Sequence, residues 1–248
     1  MTEVEVKVAS AKLSQGELDA LTSYAAKATW PAGFAIYQRG AQADGLFVIV
    51  RGRVVLRNRV KAGRGFVPMI ASDGETFGSE GLSPNASYVT DARADEETET
   101  YHLSGARFRA FVRERPQNAL ALIGQVTAEH AMLLGKLREL ATLSVEQRLV
   151  AAIGRLARHR DFVSADGRII LTPAQYRLLC ELVGATRESV TLVVNRLVAQ
   201  GLAERKGGDF LIAPAGQLLQ RLEVDSYEGE MAIPLIVGGD LPARRAEA

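Results

Sequence analysis

The spacing of apolar residues changes character twice along the 248-residue chain. Short alternating runs dominate as far as Leu103. Val4, Val6 and Val8 share one face of a predicted strand. Ser14, with Glu17 three residues later, forms a capping box and predicts a helix to about Lys27. From Trp30 onward come strand-like pieces: Phe34 to Tyr37, Leu46 to Val50, Arg53 to Arg57, Phe66 to Ile70 and Tyr101 to Leu103. Glycine turns such as Arg51-Gly52 separate them. Short strands at this spacing predict a small β-barrel or jelly roll.

After Pro116 the period becomes helical. Ile123, Val126, His130, Leu133, Leu137 and Leu140 alternate steps of three and four, an a/d seam held over about three heptads. Such a seam predicts a helix that packs on a second copy of itself, and Leu122 and Leu134, off the seam, leave a second face for the chain's own barrel. A further helical unit follows. Ser144 caps one helix through about His159, Thr172-Pro173 opens a second, and Gly184-Ala185-Thr186 turns into a third from Arg187 to about Gln200. The segment Gly201 to Pro214, centred on Gly207-Gly208, reads as a hairpin. Helix, turn, helix and hairpin make a winged helix-turn-helix. The fold class is therefore α+β: a β-roll over residues 1–112, a dimerisation helix over 113–143, a winged helix-turn-helix over 144–213 and a C-terminal extension over 214–248.

The third helix of the last unit carries the chemistry. Val190, Val193, Val194 and Leu197 fall on one face, and Arg187, Glu188, Thr191, Leu192 and Asn195 on the other. A recognition helix meets base edges near its N-terminus. There Arg187 can donate twice to guanine, and Glu188 can accept from a cytosine amino group or orient the arginine. Gln175, Tyr176, Thr186 and Ser189 are expected around it, the first three as phosphate contacts that fix register. Charge agrees modestly: the whole chain is only +1, but residues 144–213 hold ten basic against seven acidic side chains, a net +3.

Composition narrows the alternatives. An apolar fraction of 47% with 24% charged residues is that of a soluble globular protein. The single cysteine, Cys180, makes no internal disulfide and cannot hold an iron–sulfur cluster, and it reads as a small core residue. No signal-like segment opens the sequence, and the apolar run Met231 to Val237 is too short to span a bilayer, so a cytoplasmic protein without a membrane partner is expected. No Ser/His/Asp triad, metal-ligand spacing or phosphate-binding loop points to an enzyme; Gly63-Arg64-Gly65 reads as a turn. His102 and His130 read as ordinary strand and interface residues. The run Asp95-Glu96-Glu97 with Glu99 reads as a solvated turn, with RNA polymerase as the alternative it could meet.

The chain resembles the Crp/Fnr family over about residues 13–213. The matching segments are Pro31-Ala32-Gly33, Gly45 to Val50, Arg51-Gly52-Arg53-Val54, Gly74-Glu75-Thr76-Phe77-Gly78, Gly81-Leu82, and Val183 to Val190. The resemblance implies an effector-type β-roll, a homodimer, and a palindrome in double-stranded DNA whose half-sites contain TGTGA or a relative. It also exposes departures. Where cyclic-AMP-binding members carry Gly-Glu-Leu and then Arg-Ser or Arg-Thr, this chain has Gly78-Ser79-Glu80 and Tyr88-Val89. Where they place polar residues on the dimer helix, it has Leu133 and Leu134. Losing a charge-assisted pair to phosphate costs roughly 1.5–3 kcal/mol per hydrogen bond, on the order of a hundredfold in affinity. High-affinity cyclic AMP binding is therefore not expected, with Arg93 as an alternative phosphate partner. A β-roll that binds nothing, and one that binds cyclic di-GMP or a less polar molecule, both remain open. A sensor whose winged helix binds protein is the rival reading. Many relatives carry a basic residue at the position of Leu192, so base preference there should differ.

Overall fold

The computed structural model describes residues 12–59 and 65–221, which fall into two units dividing between Ala141 and Thr142. The strand expected around Val4 to Val8, the Gly63-Arg64 turn and the tail beyond Arg221 lie outside the described residues.

The first unit opens with α1 (Gln15–Leu21), closed at its start by the Ser14–Glu17 capping box. The helix stops earlier than its periodicity suggests. Lys27 lies instead in β1 (Ala26–Trp30), which pairs antiparallel with β8 (Thr98–Ser104) from Ala26↔His102 to Trp30↔Thr98. Strand pairing, a tertiary effect, here overrides local helical preference. The other strands are β2 (Ala35–Tyr37), β3 (Gly45–Arg51), β4 (Arg53–Arg59), β5 (Gly65–Ser72), β6 (Thr76–Phe77) and β7 (Asp91–Ala94). They form two four-stranded sheets, β1-β8-β3-β6 and β2-β7-β4-β5, the two faces of a jelly roll. A 3-10 turn, Ser79–Leu82, packs on β3 so closely that a Cβ on Gly81 would lie 2.2 Å from the Gly45 carbonyl oxygen. Only glycine fits this approach, and it holds the loop carrying Glu80 beneath the roll. The helix α2 (Gly105–Glu114), which the periodicity did not single out, buries Phe111 against Leu46, Val48 and Leu103.

The 27-residue α3 (Pro116–Thr142) completes this unit. Ala119 and Leu122 enter one core cluster, and Met132 and Leu133 pack against the other.

In the second unit α4 (Val145–Leu156) ends three residues short of His159. A 3-10 turn, Arg160–Phe162, then buries Phe162. β9 (Ile169–Leu171) pairs with β11 (Asp209–Ile212), which pairs with β10 (Ala203–Lys206). Between β9 and β10 run α5 (Pro173–Val183) and α6 (Arg187–Ala199), and α7 (Ala215–Arg221) follows β11. Four helices and a small antiparallel wing thus make up the described part of this unit.

Candidate nucleic-acid interface and β-roll cavity

Local chemistry fixes both helices of the turn. α5 starts on a capping box: Thr172 Oγ1 accepts from the Gln175 backbone N–H, and Gln175 Oε1 accepts from that of Thr172 at 2.8 Å. It ends at Gly184, whose φ of +66° is the left-handed conformation that closes a helix most easily without a Cβ. The Arg148 guanidinium, from α4, donates to the carbonyls of Val183 and Gly184 at 3.1 and 3.3 Å. It thereby satisfies oxygens that the helix end leaves open and favours the negative end of the helix dipole. Thr186 then caps α6, accepting from the Ser189 N–H.

α6 is amphipathic as its sequence predicts. Val190, Val193, Val194 and Leu197 are buried, while Arg187, Glu188, Leu192 and Asn195 are exposed. Arg187 and Glu188 thus stand in solvent at the first turn. Leu192 is 69% exposed, a large apolar side chain on a polar face. Arg177, Arg205 and Lys206 are also exposed, the last two on the wing.

Several expected phosphate contacts are differently employed. Tyr176 is 2% exposed: its ring stacks on Phe210 at 4.5 Å, and its hydroxyl meets Thr191 Oγ1 at 3.2 Å. This corrects its assignment as a phosphate ligand; the aromatic body is more favourable in the core than its tip is on DNA. The Gln175 amide oxygen is spent on the cap, and the hydroxyls of Thr186, Ser189 and Thr191 are all engaged within the unit. The stack continues outward, for the Arg205 guanidinium lies 4.7 Å above the Phe210 ring. Wing, α5 and α6 are therefore joined through Arg205, Phe210, Tyr176 and Thr191. The sequence gives no periodic signal for this chain of contacts, nor for Arg148.

The β-roll carries a cavity of about 160 Å³ against α3. Glu80, Val89, Glu129, Leu133 and Leu137 line it, together with Tyr37, Thr90 and Lys136. Of the residues expected there, Gly78 adopts φ +76° ahead of the 3-10 turn and Ser79 is buried. Tyr88, expected in the effector pocket, does not line this cavity. It stacks on Tyr37 at 3.7 Å and donates to Asp44 at 2.9 Å. Arg93 does not line the cavity either; it donates to the Gly33 carbonyl. Leu134 is 66% exposed and does not line the cavity, so its assignment to an effector pocket is corrected.

The face of α3 left open also differs from the expected seam. Leu120, Ile123, Thr127, His130, Leu134 and Leu137 are exposed, again at alternating steps of three and four. Val126 and Leu133 instead pack against the chain's own core clusters, and Leu140 is half-buried. Of the residues expected in the seam, Ile123, His130 and Leu137 are exposed, whereas Val126, Leu133 and Leu140 are half-buried. α3 is inverted relative to an ordinary surface helix, because it buries Gln125, Glu129, Lys136 and Glu139 and shows leucines.

Among these buried groups, Lys136 Nζ donates to Glu139 at 3.1 Å. Burial, and then the nearby Glu80 carboxylate, push the Glu129 carboxyl up to about 8. The same two causes raise the Tyr37 hydroxyl. Cys180 is buried, and its thiol is pushed up to about 11 by that burial, which fits a packing role. His102 faces Asp44 at 3.2 Å, and among the described residues no cluster of three metal-ligating side chains occurs. Among them, too, no helix is long and apolar enough to cross a membrane.

A jelly roll, a long helix with an open apolar stripe and a winged helix-turn-helix define a two-unit architecture. The comparisons agree. Residues 27–115 match the cyclic nucleotide-binding domain. A CRP-like cAMP-activated global transcriptional regulator of Mycobacterium tuberculosis is 21% identical over 82% of this chain and 90% of its own length. The cAMP-activated global transcriptional regulator Vfr of Pseudomonas aeruginosa is 26% identical over 79% and 92%. Among solved structures, the c-di-GMP-responsive global regulator CLP of Xanthomonas campestris superposes with a TM-score of 0.69 at 21% identity, covering 81% of this chain and 99% of that one. A CRP/FNR-family regulator of Thermus thermophilus gives 0.66 at 21%, over 79% and 97%. This chain is thus similar, over about four fifths of its length, to transcription regulators of the Crp/Fnr kind.

Proposed function

We propose that the protein binds a palindromic operator in double-stranded DNA as a homodimer, with α6 entering the major groove of each half-site. The observation that carries this reading is the exposed Arg187–Glu188 pair on the first turn of a helix whose opposite face is fully packed. Arg187 reads guanine, Glu188 accepts from cytosine or steers the arginine, and Leu192 offers a contact to a thymine methyl. Arg177, Arg205 and Lys206 supply sequence-independent attraction to phosphate. Two copies join through the α3 stripe of Leu120, Ile123, Leu134 and Leu137, whose heptad spacing is self-complementary about a two-fold axis. Selection from random DNA by the purified protein, followed by sequencing, tests this. An inverted repeat is the expected result, and a library without enrichment favours a winged helix that binds protein.

A second element of the reading concerns the β-roll. Its cavity touches α3, so an occupant there acts on the dimer helix directly, and we read it as the site of a small effector. The lining argues against cyclic AMP. No arginine lines the cavity, two glutamates and one lysine do, and about 160 Å³ is close to the roughly 150 Å³ of a cavity that takes up one benzene.

A further inference from the structure

Resting on the reading of this cavity as an effector site, we propose that its ligand is a small amine, a single-ring or short-chain ammonium compound whose nitrogen lies between Glu80 and Glu129. The lining is mostly apolar, with the charged side chains of Glu80, Glu129 and Lys136 set into it. Leu56, Phe66, Pro68, Val89, Leu133 and Leu137 make an apolar pocket of about 160 Å³, room for one ring or a short chain. Two carboxylates interrupt it from opposite elements, Glu80 from the 3-10 turn of the roll and Glu129 from α3.

Glu80 is close enough to Glu129 to help hold it protonated, and close enough to Tyr37 to raise its hydroxyl. An ammonium group inserted between the two carboxylates removes that repulsion. It gains charge-assisted hydrogen bonds in a site of low dielectric. Lys136 also lines the cavity, and its ammonium donates to Glu139 at 3.1 Å. Thr76 and Ser79 hold Glu129 by hydrogen bonds, so the acceptor is oriented before a ligand arrives. An anion meets two acidic groups against one ammonium, that of Lys136, which already donates to Glu139. Val89 at the rim is 56% exposed, which leaves a route in from solvent beside the α3 stripe to which Leu137 belongs.

A bound ammonium favours the ionised form of Glu129, so at pH 7 binding expels its proton to the buffer. The test is calorimetric titration of the full chain with benzylamine, with its neutral counterpart benzyl alcohol, and with cyclic AMP. Benzylamine is expected to bind at least about tenfold more tightly than benzyl alcohol. Its heat should differ between phosphate and Tris buffers by the ionisation of one proton. Glu129→Gln should abolish that buffer dependence, and Glu129→Gln and Glu80→Gln should each weaken benzylamine about tenfold or more while leaving benzyl alcohol little changed. Using two variants guards against a local collapse in either.

Equal affinity for the alcohol and the amine overturns the proposal, as does cyclic AMP binding more tightly than benzylamine. So does the absence of benzylamine heat in protein that selects its DNA site, an outcome that leaves the DNA-binding reading standing. Benzylamine binding by protein that selects no DNA overturns that reading and supports this one.

Discussion

The two long helices of the molecule solve opposite problems. α6 hides its valines and displays polar side chains, as a surface helix does, and the arginine and glutamate it displays are the exposed groups suited to base edges. α3 does the reverse. It buries Gln125, Glu129, Lys136 and Glu139 against the roll and turns Leu120, Ile123, Leu134 and Leu137 outward. Burying four polar side chains is unfavourable unless each is satisfied, and exposing four large apolar ones forfeits hydrophobic stabilisation. An inverted helix is understandable when something covers its outer face and something enters its inner one. The comparison teaches that a helix that looks ill-suited to its monomer marks the place where partners act.

The largest expected effect breaks the α3 half of this comparison. Leu134→Glu places a charge at the two-fold seam twice per dimer, and should weaken self-association by more than about 3 kcal/mol without lowering the melting temperature of the roll. Sedimentation equilibrium measures the first quantity and thermal unfolding the second. Its neighbour Leu133→Glu should do the opposite, destabilising the roll first, because Leu133 packs inward. Equal behaviour of the two variants would erase the distinction drawn here between the faces.

On α6, Arg187→Ala should cost about 1–3 kcal/mol of specific binding and relax preference at one base pair per half-site, as read by anisotropy titration over single-base operator variants. Arg148→Met removes the guanidinium from the Val183 and Gly184 carbonyls without touching the recognition face. It should cost about 1–2 kcal/mol of unit stability and lower DNA affinity without altering base preference. A change in preference instead would give Arg148 a direct contact.

The smallest effect is a pH dependence on the α3 side. Glu129 holds its proton up to about 8, well above an ordinary carboxyl, so burial favours the neutral acid. Stability from this group is complete below the ordinary carboxylate range, near pH 4, and is lost as pH rises through about 8. The slope is at most about 1.4 kcal/mol per pH unit. Thermal melts between pH 5 and pH 8.5 should show this decline in the native chain, and a flatter profile in Glu129→Gln.

Much of this was legible in the sequence, and unevenly so. The capping box at Ser14, the helix start at Thr172-Pro173, the strand pieces of the roll and the amphipathic third helix of the last unit all follow from local spacing. The register of the seam did not. α3 carries leucines on two faces, and periodicity alone cannot tell the face that meets the roll from the face that meets a partner. Ionisable residues at 129, 136 and 139 read as solvated by default, since such groups are rarely buried, so the acidic lining of the cavity carried no signal. Tyr176 misled for a related reason: its hydroxyl suits phosphate, and only the packing of Phe210 from the wing reveals where the ring goes.

The most direct test of the central claim varies the spacing of the selected operator. Paired α6 helices must reach successive major grooves on one side of the duplex, about 10–10.5 base pairs apart. Inserting about five base pairs between the half-sites turns one groove to the far side. The account predicts a fall to non-specific affinity, with recovery when about ten are inserted. Undiminished affinity at five would contradict it, because the two helices would then not be reading DNA as a fixed pair.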